Sequence, residues 1–338
     1  MFSPTNAMIR ALAYKTLAWE PLLRHRRRTR LRNMSVVLMY HEIADDHDEI
    51  EAWTVVKKSA FLRQVEYLRE NFDVVSLGDA ISTMAEDRDL DRPLAVITFD
   101  DGDAGNRRVL LPLVEALKIP VTIFVATRAV QDQVSYWFDR LINALQSDDP
   151  IHLDLSGLSL GHHAFNETRG ARNWVRIEAL LAALKRVPPA EREALTDGII
   201  ARVVPRRWRG SLIRPLRIDE VRELASCPWV TIGAHSHCHN ILTQLAPEEM
   251  RNSIAISKQL LESWAGRAVD YFAYPNGDAN TEVMSVVKSC GFKCGLTTLP
   301  RPWNRRDSAF ALPRIAVGRY DVEEVFRLNL VGGIAAIV

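Results

Sequence analysis

Two adjacent carboxylates, Asp100 and Asp101, stand at the end of an apolar, strand-like run, Leu94-Ala95-Val96-Ile97-Thr98-Phe99, and Gly102 follows them. Such a pair can divide two tasks, one acid binding a metal ion while its neighbour takes a proton from water at that ion. Gly102 allows a sharp turn after the strand, so both acids can reach one cleft instead of facing opposite sides as consecutive strand residues do. Asp-Asp-Gly is also ordinary turn chemistry, and alone it supports either reading. A second apolar run, Val230-Thr231-Ile232-Gly233-Ala234, feeds into His235-Ser236-His237-Cys238-His239. Histidines four apart share one face of a helical turn, which would aim His235 and His239 at a common ion and turn His237 elsewhere. The alternative is a polar loop of solvated imidazoles.

Together Asp101, His235 and His239 offer three N and O ligands and leave a fourth position for water, the composition of a catalytic zinc site rather than a structural one. Zinc brings the pKa of its water to about 7 and polarises a carbonyl, so hydrolysis of an amide or ester is the expected reaction class. A third run, Tyr271-Phe272-Ala273, stops in Tyr274-Pro275-Asn276-Gly277. Tyr274, Pro275 and Asn276 are the expected oxyanion or substrate contacts, with the Asn276 backbone N–H foremost. A fourth, Val36 to Tyr40, ends in His41, a candidate acid for a departing amine.

These residues resemble the NodB-homology polysaccharide deacetylases, carbohydrate esterases that remove N-acetyl groups from sugar polymers. The resemblance spans most of residues 34–320, and TFDDG at 98–102 and HSHCH at 235–239 match the family's two most specific motifs. It implies Asp100 as the base, with Asp101, His235 and His239 holding zinc or another divalent metal. Two departures stand out. The family's third motif usually begins with an Arg that orients the base, whereas Ala273 occupies that place here, and Arg314 in Leu312-Pro313-Arg314-Ile315 is the candidate substitute. The family's catalytic His usually lies near the C-terminus, whereas no His follows His239 and His41 precedes every other motif. Exopolysaccharide N-deacetylases show this rearranged order, and a ring of strands tolerates it because only the spatial position of a strand matters.

The elements that must position these residues alternate. Strand-like runs near 35–41, 73–76, 94–100, 120–126, 229–234, 270–274, 294–298 and 313–317 are separated by helical patterns such as Ser59 to Asn71, Gly105 to Leu117, Pro247 to Trp264 and Thr281 to Cys290. The expected fold is α/β, a distorted (β/α) barrel of seven or eight parallel strands with its site at the C-terminal strand ends. A basic helical segment, residues 1–33, precedes a deacetylase domain at 34–330, and a helical insertion at about 131–217 interrupts the repeat. Within it, the aromatic residues around Trp137 read as packed core more than as a sugar platform, and adjacent His162 and His163 read as a solvated loop.

At 338 residues, 47% hydrophobic with a net charge of +1, the chain can bury one large core or two modest ones, and its balanced charge argues against nucleic acid as a partner. No apolar run approaches the roughly 18 residues of a membrane span. Cys227, Cys238, Cys290 and Cys294 form no paired framework, which fits a reducing, cytoplasmic compartment. Ile9, Leu12, Ala13 and Leu17 make a weak apolar stripe, followed by Arg24, Arg26, Arg27, Arg28, Arg30 and Arg32; this segment either rests on the inner face of an anionic membrane or packs on the barrel. The expected activity is metal-dependent removal of N-acetyl groups from an amino sugar in a polysaccharide, oligosaccharide or lipid-linked glycan. An O-acetyl esterase, a deformylase or a cyclic-amide hydrolase shares the same chemistry, and a non-catalytic carbohydrate-binding or scaffold protein is the alternative of another class.

Overall fold

Strands covered on both faces read as near-continuous apolar runs. The strands β1 (Met34–Tyr40), β2 (Leu94–Phe99), β3 (Val121–Val125) and β4 (Val230–Ala234) obey this rule, with nearly every residue buried. The computed structural model describes residues 14–86, 89–146, 151–156, 161–165, 171–203 and 213–332. Three shorter strands, β5 (Tyr271–Ala273), β6 (Cys294–Leu296) and β7 (Ile315–Ala316), complete a curled parallel sheet in the order β6-β5-β4-β3-β2-β1-β7. A bridge between Leu296 and Leu312, just before β7, brings the two ends of the sheet together. These are the seven parallel strands of a distorted barrel. The run near 73–76 gives only Asp73–Val74, pairing at the foot of β2, and Trp303–Asn304 adds a short antiparallel piece beside β1.

Alternation along the strands splits the apolar residues into two layers. Val36, Leu38 and Tyr40 face the surrounding helices together with Ile97, Phe99, Phe272 and Tyr274. Val37, Val96, Phe124 and Ala273 belong to a smaller interior cluster, which Leu77, Ala80 and Met84 of the helix Leu77–Ala85 join.

The insertion has a core of its own. Helices Trp137–Leu145, Ala171–Leu184 and Pro189–Ile200 contribute Leu141, Ile142, Leu145, Ile177, Leu184 and Ile199 to it. It is not wholly helical. Ile151–Leu155 and Gly161–Phe165 form an antiparallel hairpin, and His162 and His163 lie on its second strand rather than in a loop. The period-2 burial of Ile151, Leu153 and Leu155 is the pattern that a one-sided hairpin requires.

Of the N-terminal stripe, Ile9, Leu12 and Ala13 lie outside the described residues. The helix Glu20–Arg30 opens with Pro21 in its first turn, where a missing N–H costs nothing, and it buries Leu23 and Arg27. Arg27 pairs with Glu20 and donates to the Tyr67 hydroxyl at 2.6 Å, so one face of this basic helix is docked on the barrel. Leu23 is fully buried there, and Leu23→Ala is expected to lower stability by about 2–5 kcal/mol in urea denaturation. A loss under about 0.5 kcal/mol, the range of exposed sites, would show that the helix is not held.

Candidate active site

The turn after β2 sets the two acids apart. The Asp100 N–H still donates to Tyr40 O at 2.9 Å, continuing the ladder with β1, whereas Asp101 (φ 71°) and Gly102 (φ 83°) are both left-handed. Two such residues in succession swing the Asp101 carboxylate to the same side as Asp100. A Cβ on Gly102 would lie 2.9 Å from Val125 Cγ1, so the close approach to β3 also calls for glycine.

His235 and His239 do meet at Asp101, though not on a helical turn. Residues 235–239 are a loop in which Ser236 (φ 65°) and His239 (φ 55°) are left-handed, and the His239 N–H donates to Ser236 Oγ at 3.1 Å. The fold of this loop, not a 3.6-residue period, brings the rings to a centroid separation of 4.8 Å. Asp101 Oδ1 lies 3.4 Å from His235 Nε2 and 2.9 Å from His239 Nε2. Ligand atoms about 2.1 Å from a tetrahedral zinc stand about 3.4 Å apart, so the donor set fits such an ion in both kind and spacing. His235 Nδ1 donates to Ala273 O at 2.7 Å, which leaves the Nε2 lone pair facing Asp101, as a metal ligand requires. His237 turns away and bonds Thr127 Oγ1 at 2.8 Å, while Cys238 Sγ sits 3.2 Å from Ser253 Oγ.

Asp100 is pinned from the other direction. Arg314 donates to both of its carboxylate oxygens at 2.7 Å, to Thr297 O at 3.0 Å and to Thr98 Oγ1 at 3.3 Å, with its guanidinium over the Phe124 ring. Arg314 is fully buried and precedes β7, so the cation enters the barrel interior from a different strand than the family pattern uses. Burial pushes the Asp100 carboxyl upward, but the charge and hydrogen bonds of Arg314, together with His235 and His41, hold the group below its ordinary range. Asp101 is likewise pushed up by burial and then held well below that range by the surrounding imidazoles of His239, His235 and His41.

His41, directly after β1, brings Nε2 to 4.0 Å from Asp101 Oδ2, on the side away from His235 and His239. Its Nδ1 is buried with no hydrogen-bond partner among the described residues, and its ring packs 5.8 Å from Trp53. Asp100, Asp101, His235, His239 and His41 open on one cavity of about 470 Å³, lined also by Trp137, Phe138 and Trp174 from the insertion. Trp137 and Trp174 are therefore both core and cavity wall. Asn276 lines the cavity at a left-handed φ of 59°. Tyr274 does not reach it: it lies on the helix-facing side of the sheet, two residues on from Phe272, and its buried hydroxyl donates to Phe310 O at 2.9 Å. Pro275 is buried and also outside the lining. Of the three expected substrate contacts, only Asn276 meets the cavity. Thr98, Arg192 and Lys185 also bear on the site; Thr98 lies within TFDDG, but nothing local in the sequence marks the other two as facing the cavity.

The profile of the family described as polysaccharide deacetylase matches residues 87–177 and 199–295, more than half of the chain. The chain belongs to the polysaccharide deacetylase family. YxkH of Bacillus subtilis, a protein assigned to the polysaccharide deacetylases, is 20% identical over 282 residues, 83% of this chain and 70% of its own. The Streptococcus pyogenes deacetylase PplD superposes with a TM-score of 0.59 at 15% identity, covering 88% of this chain and 98% of that one. IcaB from Ammonifex degensii gives 0.54 at 18% identity, over 90% and 96%. These superpositions establish a shared fold, a curled seven-stranded sheet surrounded by helices.

The Asp100–Arg314 pair fixes a pH signature. A carboxyl held below its ordinary pKa contributes stability that is present above the unfolded value, about 3.9, and is lost as pH falls through the folded one. Arg314→Gln leaves a buried carboxylate without its charge partner and should cost about 3–5 kcal/mol at neutral pH. The deficit should shrink in urea titrations as pH falls through the value to which burial raises Asp100 in the variant, because a protonated Asp100 no longer needs the cation. A deficit independent of pH would rule out the pair as its origin.

Proposed function

We propose that this protein hydrolyses the N-acetyl group of an amino sugar in a polysaccharide, oligosaccharide or lipid-linked glycan, with a divalent metal ion, zinc being the best match to the donors. The observation that carries this reading is the meeting, in one cavity, of three N and O donors, Asp101 and His235 buried and His239 half-buried, and a separate carboxylate locked by Arg314. Asp101, His235 and His239 would hold the ion. When bound, such an ion supplies Lewis acidity and makes hydroxide accessible near neutral pH.

Asp100, one residue from the ligand Asp101, takes the proton from the attacking water; Arg314 keeps it ionised and fixed in orientation. Asn276 is the candidate to hold the acyl oxygen through its backbone N–H, at a turn that presents it to the cavity. His41 delivers a proton to the departing nitrogen, since its Nε2 faces the reacting region across Asp101. This imidazole favours an amide over an ester substrate, because an alkoxide leaves more readily than an unprotonated amine. Unpaired cysteines suit a reducing compartment, and cytoplasmic placement, with the basic face of Glu20–Arg30 toward an anionic membrane, belongs to the same proposal.

Asp101→Ala and His239→Ala should each lose the ion in elemental analysis of purified protein. Asp100→Asn should keep it while kcat for acetate release falls about 10²–10⁴-fold, the range for a removed general base. Full metal content in both ligand variants, or near wild-type turnover of Asp100→Asn, would refute the assignment.

His41→Ala should cripple hydrolysis of an N-acetyl sugar and damage an activated aryl acetate much less, as comparison of kcat on the two substrates will read. Equal losses on both would make His41 a structural residue and remove the argument for amide over ester.

A further inference from the structure

Beside the metal-ligand cluster the insertion places two cations, Arg192 and Lys185, on the cavity wall, and among the described residues neither forms an ion pair; Glu193, next to Arg192 in the chain, pairs with Arg140 and acts on Arg192 only at longer range. Arg192, on the helix Pro189–Ile200, is only 5% exposed. Its guanidinium lies 4.9 Å from the centre of the Trp137 ring and donates to Asn240 Oδ1 at 3.1 Å, and its buried Nε makes no hydrogen bond. Lys185, just past the helix Ala171–Leu184, donates from Nζ to Asn276 Oδ1 at 3.1 Å. Glu178 shares the lining but forms no ion pair with either.

A buried guanidinium is costly unless its charge is met, and an aromatic face with one neutral amide oxygen meets it only in part. An oxyanion answers the fork geometry of Arg and the point charge of Lys together. Both cations are also tied to the reacting centre. Asn240 follows His239 in the chain, and Asn276 lines the same cavity. The aromatic walls Trp53, Trp137 and Trp174 enclose the space between, as a sugar-sized pocket requires.

We propose that Arg192 and Lys185 form an anion subsite, and that the substrate carries a phosphate or carboxylate on the N-acylated sugar or on the unit next to it. The sugar in this statement rests on the deacetylase reading; the charge rests on the side chains of the insertion.

The test uses the full chain loaded with zinc, and four probes: N-acetylglucosamine, its 1-phosphate, its 6-phosphate, and a disaccharide joining it to a uronic acid. Both calorimetric binding and acetate release are measured. At least one charged probe should bind about tenfold more tightly than the neutral sugar, with the advantage in KM, as expected for charge-assisted hydrogen bonds. The phosphate and uronate arms distinguish the two sources of the anion. Arg192→Gln and Lys185→Gln should each reduce that preference, and Arg192→Lys should restore part of it. Lys185 is exposed, so its variant reports even if the Arg192 variants fold poorly. Equal binding of charged and neutral probes by the wild type, or an unchanged preference in Lys185→Gln, overturns the subsite. Charge-selective binding that the variants lose, without hydrolysis of any probe, supports the subsite and overturns the deacetylase reading instead.

Discussion

The two-pronged contact between Arg314 and Asp100 is the constraint on which the rest of this architecture depends. Arg314 is wholly buried and Asp100 nearly so, its carboxylate touching only the cavity, so each depends on the other for its charge. The network does not stop there. Arg314 also holds Thr297 O and Thr98 Oγ1, and the Thr98 hydroxyl donates to Leu38 O at 2.7 Å. One guanidinium thus ties the entry to β7, the end of β6 and the middle of β2, with β1 one hydrogen bond further on. A pair of this kind contributes little net stability compared with a well-packed apolar substitute, but it tolerates few alternative arrangements. Its value here is geometric, because Asp101 follows Asp100 in the chain and the cluster of Asp101, His235 and His239 can be no better placed than Asp100 is.

The site lies on the border between two hydrophobic cores. The barrel supplies the carboxylates and imidazoles from strand ends, and the insertion supplies most of the aromatic wall and the two cations Arg192 and Lys185. This separates chemistry from recognition. Strand ends are rigid because their backbone bonds are shared on both sides, whereas the insertion can vary its lining without disturbing the ligand spacing.

Where the physics is local, the sequence was readable. Doubly buried strands announce themselves as unbroken apolar runs, and TFDDG and HSHCH carry their chemistry in adjacent residues, so the barrel and the residues of the metal cluster could be named in advance. Arg314 could be named as well, because a missing cation at Ala273 has to be replaced from somewhere. Other features were illegible for equally physical reasons. His235 and His239 converge through left-handed residues at Ser236 and His239, and backbone sign is not written in residue types other than glycine. Tyr274 was misplaced because a one-residue shift in alternation exchanges the two faces of a strand. The hairpin carrying His162 and His163 was hidden by its brevity, and Arg192 by the fact that only tertiary packing sets it over Trp137.

The partners Asp100 and Arg314 are separated by 214 positions, and the ring closes on β7, among the last strands of the chain to be made. During synthesis the first four strands can emerge and collapse with an unneutralised aspartate in their midst, and a buried charge of that kind resists burial until its counter-charge arrives. The barrel interior of a nascent or truncated chain should therefore stay open and wet. Arrival of Arg314 is what seals it, so a fragment ending before Arg314 would be a target for proteolysis rather than a compact barrel.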